Sequence, residues 1–349
     1  MLKRPRPYLL LIIFLFTSLF AVNAQNFENA GQYMTAINKA RETMDAKYIQ
    51  YLSAAAHGRR ARKVENLRTQ LLESITQSRY KTIELPYYNG DNSLRQSSID
   101  YILLLYRIFN EDFAKIVNLE EIAEQSFDEM QSYLLLQEKT SEKLREAAAS
   151  LQKTSTEFAA RHKVTIVDKQ DALGEKMAMA GKLNTYTDKI YLLFFKCNWQ
   201  DDRMVQAMNA KKVNEIEQSR NALAQYATEG LKALDTLRVF NGDPTLANAC
   251  RQVLEFYKKM AEKDIPGLTD FYLKEDNFQK IKKSFDAKSP QSRTQQDVDA
   301  FNKAVNEMNA GIGSFNKSNT AINNSRNQVL KAYQEAEKKF ADTHMPYYR

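Results

Sequence analysis

Glycine and proline are scarce in this chain, ten and seven among 349 residues. So few turn formers exclude a fold of short strands and tight turns and favour long helices. Histidine occurs only at positions 57, 162 and 344, never in a Glu-x-x-His pair, which removes the inward-facing ligand set of a di-iron bundle. His-Glu-x-x-His, Cys-x-x-Cys-His and glycine-rich phosphate loops are missing too, so neither a metal nor a cofactor is expected. No serine, aspartate or glutamate is marked by strained turn chemistry as a nucleophile or base. The chain therefore reads as a non-enzyme. After residue 24 no apolar run approaches the roughly 20 residues that a spanning helix needs, so the mature chain is expected to have no transmembrane span.

What is present begins with an export signal. Lys3, Arg4 and Arg6 precede an almost wholly apolar run from Tyr8 to Phe20, and Val22-Asn23-Ala24 supplies small or permitted residues at the cleavage positions. At roughly 13 residues the run is short for a retained anchor, so residues 1–24 read as a signal peptide cleaved after Ala24. No cysteine stands there to take a lipid anchor. Removing three cations takes the net charge from +7 to +4, too weak a balance to argue for nucleic acid. The expected location is the periplasm or cell surface of a bacterium.

Two motifs recur at domain spacing. Asn89-Gly90-Asp91 returns as Asn241-Gly242-Asp243, 152 positions later, and Phe158-x-x-x-His162 returns as Phe340-x-x-x-His344, 182 positions later. The 152-residue offset continues through Glu65/Glu217, Arg68/Arg220 and Leu71/Leu223. A four-three apolar seam runs from Leu119 to Phe158 and, at the larger offset, from Phe301 to Phe340. The difference of 30 places an insertion at 265–300, where Ile265-Pro266-Gly267 should break the helix and Lys288 to Ser292 should form a loop. The pattern predicts an all-α protein of two tandem up-and-down four-helix bundles with long coiled-coil-like final helices. Unit 1 spans 25–165, with helices near 27–56, 59–83, 92–117 and 119–162. Unit 2 spans 166–349, with helices near 173–209, 211–240, 244–263 and 294–343. Asp91 and Asp243 are expected N-caps, with Pro244 at the first helical position; Asn118 with Glu121, and Thr294 with Asp297, are expected capping pairs. On these boundaries Cys197 and Cys250 lie on the order of 18 Å apart along the bundle, beyond disulfide reach. Two buried thiols are expected.

Candidate contacts are few. Arg59, Arg60, Arg62 and Lys63 open a helix, where the dipole disfavours cations, so either a patch for acidic polymers or lipid headgroups or a solvated turn is expected. The insertion carries Phe271, Tyr272, Phe278, Ile281 and Phe285 with lysines between them. It is a contact surface for a partner or a packing element across the bundle end. Six asparagines between Asn302 and Asn327 form a stripe one position past the seam, fit either to bond a glycan or extended partner or to bond between helices. His162 and His344 sit at helix C-termini, where a cation meets the dipole favourably. Tyr191 to Trp199 is apolar on nearly every face, as in a central core or around an apolar ligand.

Four stretches, Ala56 to Glu65, Tyr80 to Arg95, Phe109 to Tyr133 and Arg293 to Asn309, make the chain resemble a family of exported bacterial surface proteins known from leptospires and Bacteroidetes-type bacteria. The resemblance implies export and envelope or surface placement and supplies no functional residues. The expected function is accordingly non-enzymatic: helical faces presented to a protein, glycan or membrane-surface partner. The alternatives are a periplasmic carrier of a lipid or other apolar ligand and, behind that, an uncharacterised enzyme.

Overall fold

The computed structural model describes residues 27–57, 61–113, 126–166 and 172–345. About 88 % of the described residues are helical, and no strand forms among them. In chain order the helices are α1 (Ala30–Ala56), α2 (Ala61–Glu84), α3 (Ser93–Arg107) with a π turn, π1 (Ile108–Asp112), α4 (Phe127–Arg161), α5 (Ala172–Asn209), α6 (Val213–Thr236), α7 (Thr245–Lys259) with a second π turn, π2 (Met260–Asp264), α8 (Ile265–Asp286) and α9 (Gln295–His344). No described helix is long and apolar enough to cross a membrane.

Local chemistry explains several helix starts. Asn29 accepts the Gln32 amide at the start of α1, and Thr294 forms the expected capping box with Asp297 at the start of α9. The expected pair Asn118–Glu121 lies outside the described residues. The described α4 starts eight residues later than expected, capped by Ser126, whose hydroxyl accepts the Glu129 amide. Asp91 and Asp243 stand one position before the cap, yet each still accepts the first helical amide, from Ser93 and Thr245, at 2.9 Å. Pro244 is therefore the cap residue and not the first helical one.

One expected break is absent. The chain stays helical through Ile265-Pro266-Gly267, because Ile265 donates to the Met260 carbonyl five residues back. That wider turn takes up the clash that a proline ring makes with the carbonyl four residues behind it. π1 has the same geometry without a proline, Phe113 donating to the Ile108 carbonyl, so Pro266 uses the π turn and does not create it.

Among the described residues, the buried apolar side chains gather in three clusters. One draws on residues 30–158, a second on residues 180–345, and a small third joins Met130 and Leu134 of α4 to Phe195 of α5. Contacts at helix ends give the directions. Tyr33, early in α1, donates to the Pro86 carbonyl beyond the end of α2, and Arg68, early in α2, donates to the Phe109 carbonyl in π1. Neighbours in sequence therefore run antiparallel.

Candidate functional site

The two motifs that recur in the sequence meet in space, once in each half. Asn89 and Gly90 (φ 49° and 81°) and Asn241 and Gly242 (φ 50° and 77°) turn the chain left-handedly, a conformation asparagine tolerates and glycine adopts freely. The turn delivers Asp91 Oδ2 to His162 Nε2 at 2.9 Å, and Asp243 Oδ2 to His344 Nε2 at 2.8 Å. Around each pair stand three rings: Tyr33, Tyr88 and Phe158 in one corner, Tyr186, Phe240 and Phe340 in the other. Their five ring-to-ring distances, His included, run from 4.4 to 5.9 Å in the first and from 4.5 to 6.0 Å in the second. The Thr245 hydroxyl, with help from His344, outweighs burial and holds Asp243 down at about 2. Burial pushes Asp91 up, but bonds from Ser93, His162 and Arg161 outweigh it and leave its carboxyl far below the usual range. The histidines sit at their helix C-termini as expected, His162 as the cap residue and His344 as the last helical one, and each ties its helix to the turn. These corners are joints.

The halves diverge around the π turns. In both, an arginine two turns into the second helix pairs with a glutamate three residues back and donates to a carbonyl of the π turn: Arg68 to Phe109, Arg220 to Ala261. Beside π1 the neighbours are apolar, with Met44, Tyr48, Leu105 and Leu144 all buried. Offsets of 153 in the first helix, 152 in the third and 182 in the last carry these positions to Cys197, Asp201, Tyr257 and Arg326. There Arg326 grips Asp201 with two bonds of 2.7 and 3.0 Å, donates a third to Asn323 and rests a nitrogen 3.4 Å from the Met260 sulfur. Tyr257 donates to Asn198 at 2.9 Å. The Asp201 side chain is 2 % exposed and that of Arg326 13 %. Burial raises the Asp201 carboxyl even though Arg326 opposes the shift. Sequence reasoning missed this pair, yet Arg326 stood in the apolar seam, where a cation requires a buried partner.

Cys197 and Cys250 are both buried and free, and burial pushes each thiol up to about 12. The offset between them is smaller than expected. Cys250 donates to the Ile190 carbonyl while Tyr257 meets Asn198, so α5 and α7 run parallel and the thiols stand about seven residues, roughly 10 Å, apart in level.

The stretch Tyr191–Trp199 packs on two sides. Ile190, Phe194 and Cys197 face the second core, while Tyr191, Leu192, Phe195 and Trp199 meet Phe127, Met130, Tyr133 and Leu134 of α4. Of the basic run, Arg59 and Arg60 and the Arg62 side chain lie outside the described residues, and Lys63 is exposed.

The insertion forms an arm. α8 and the first half of α9 lie antiparallel, with Phe271 stacked on Phe315 at 4.4 Å and Phe285 on Phe301 at 4.5 Å. Phe278 also reaches Phe301, at 6.2 Å, and Tyr272 reaches Phe315, at 5.4 Å. Ile281 is half-buried. The rings expected to offer contacts to a partner therefore hold the arm's own seam. Lys288 with Asp297 at 2.6 Å, and Arg293 over the Phe285 ring at 4.1 Å, close its tip. Gly311 allows the close approach at its base, since a Cβ there would meet Phe271 at 2.9 Å. The approach shifts the seam by one residue, leaving Ile312 40 % exposed and Ala304 buried. A cleft of about 380 Å³ opens along one side between Gly267, Asp270, Lys274, Glu307 and Ser314.

No protein-family model, no curated protein and no solved structure matches this chain.

Proposed function

We propose that the chain is an exported, non-enzymatic bacterial envelope or surface protein made of two copies of one four-helix unit, residues 25–165 and 166–349, the second of which carries a docking arm. The paired corners, π turns and arginine contacts support duplication, because each recurs with the same partners. The observation that carries the docking reading is the arm. Between residues 273 and 314 it adds no side chain to the second core cluster, and no matching segment exists in the first unit's sequence. From Tyr272 to Asp286 it reaches on the order of 20 Å. A two-helix hairpin buries little apolar surface for the backbone it orders, so stability alone gives no reason to keep it. Its rings are turned inward, and its outward faces remain for contact with a partner. Tyr191–Trp199, the stretch that would favour an apolar-ligand carrier, is engaged on both sides by side chains of this chain, so no separate observation supports that reading.

Two measurements test the proposal. Intact mass after expression in a bacterial host should give a chain beginning at Gln25, recovered from the envelope or periplasm; a chain retaining Met1 in the cytosol overturns the export reading. Replacing residues 273–314 by a short turn should leave a cooperative helical melt while reducing retention in the envelope fraction. Unchanged retention overturns the docking role of the arm.

A further inference from the structure

The outer face of α9 is unusual for an exposed helix. Asn302, Asn306, Asn309, Asn316, Asn323 and Asn327 are all exposed, and Gly313 and Thr320 complete an unbroken four-three spacing. The stripe runs roughly 38 Å without a charge, in a chain of which 27 % of residues are charged. Among the described residues only Asn323 has its side chain engaged, with Arg326 and Asn319; the other five amides have no partner there and are free to bond outward. Asparagine is a poor helix former, and an exposed face without a task favours Lys, Glu, Gln or Ala. The fold does not require it either. At the same register the last helix of the first unit carries Phe127, Gln131, Leu134, Glu138, Ser141 and Arg145, and Phe127 and Leu134 pack against α5. In α9 the corresponding face is left open and has become a ladder of amides.

The chemistry narrows the occupant. A nucleic acid or anionic polymer needs cations, and the stripe has none. A second copy would set amide against amide, whereas a coiled-coil seam tolerates one buried asparagine among apolar residues, not six. A protein partner wants aromatic or apolar anchors at the centre of the patch. What remains is a neutral, extended polymer rich in groups that both donate and accept. Each carboxamide offers one acceptor and two donors, matching a hydroxyl or acetamido group. The period matches as well: Asn302, Asn309, Asn316 and Asn323 repeat every seven residues, roughly 10.5 Å, close to the two-sugar repeat of an extended β-1,4-linked chain. The geometry points to the Asn stripe of α9 as a binding face for a neutral β-1,4-linked polysaccharide. The inference rests on the docking reading above and names its partner class.

The test uses the full mature chain with insoluble chitin and cellulose powders, and cross-linked dextran as the α-linked control. The protein should co-sediment with a β-linked powder and stay in solution with dextran. The triple variant Asn302→Ala/Asn309→Ala/Asn316→Ala should bind on the order of a hundredfold more weakly. Because alanine is the better helix former, its helix content and Tm should be unchanged or higher, which separates lost binding from lost fold. Absence of co-sedimentation with both β-linked powders, equal retention on dextran, or unchanged binding by the triple variant each overturns the inference. If the triple variant keeps envelope retention while deletion of the arm abolishes it, the glycan is wrong and the docking arm stands.

Discussion

Arg326→Leu should be among the most damaging single changes in the second core, and pairing it with Asp201→Tyr should undo most of the harm. The single change leaves Asp201, with its side chain 2 % exposed, without the guanidinium that makes two bonds to it. Removing one partner of a buried pair costs about 3–5 kcal/mol. The double change installs what the first unit already has at the matching positions, Tyr48 and Leu144. The larger ring would meet a smaller neighbour, because Ala261 stands where Phe109 packs edge-on against Tyr48 at 5.3 Å. Replacing a buried ion pair with packed apolar groups ranges from neutral to stabilising by about 1–4 kcal/mol, so the double variant should return to or exceed the parent. Urea denaturation followed through Trp199, the single tryptophan and two residues from Asp201, reads the local transition. The cost of Arg326→Leu should shrink as pH falls from 7 to 4. Asp201 already has a raised pKa in the fold, the lone carboxylate would be raised further, and a raised folded pKa contributes stability at low pH that is lost on ionisation. A single variant less than about 1 kcal/mol below the parent, or a double variant as weak as the single, would refute the reasoning.

Asp188 lies where α5 meets α4, and burial with the nearby Glu138 charge pushes it up to about 7. Its raised value favours the protonated fold, so stability should be fullest below about pH 4 and decline through pH 7. Asp188→Asn should stabilise on the order of 2 kcal/mol at pH 8 and little at pH 4 in thermal melts; equal effects at both pH values would exclude the assignment. Gly90→Ala and Gly242→Ala meet no neighbouring atom within 4 Å but sit at φ 81° and 77°. Each should cost about 1 kcal/mol from backbone strain alone, and a large difference between the two would break the equivalence of the corners. Cys197 and Cys250, with thiols near 12, should resist iodoacetamide in the native state and react fully only in denaturant. Rapid native labelling, or a mass loss of two hydrogens that a reductant restores, would contradict the packing.

The sequence by itself determined most of the helices and the recurrence of two motifs. Four-three spacing, capping residues and a near absence of glycine and proline are local properties, so α5, predicted at 173–209, is observed at 172–209, and α9 at 295–344 against 294–343. The Asn-Gly-Asp and Phe-x-x-x-His repeats were legible as repeats, because identity at a distance can be read without knowing what touches what. That they bond to each other, across 71 residues in one half and 101 in the other, only the tertiary structure decided. The same holds for Arg326, whose partner lies 125 residues away, and for Pro266, whose expected break depended on a hydrogen-bond register that spacing does not reveal. The arm's rings show the limit most clearly: an amphipathic helix announces that it will bury a face, but the pattern is identical whether the covering surface is another molecule or the next helix of its own chain.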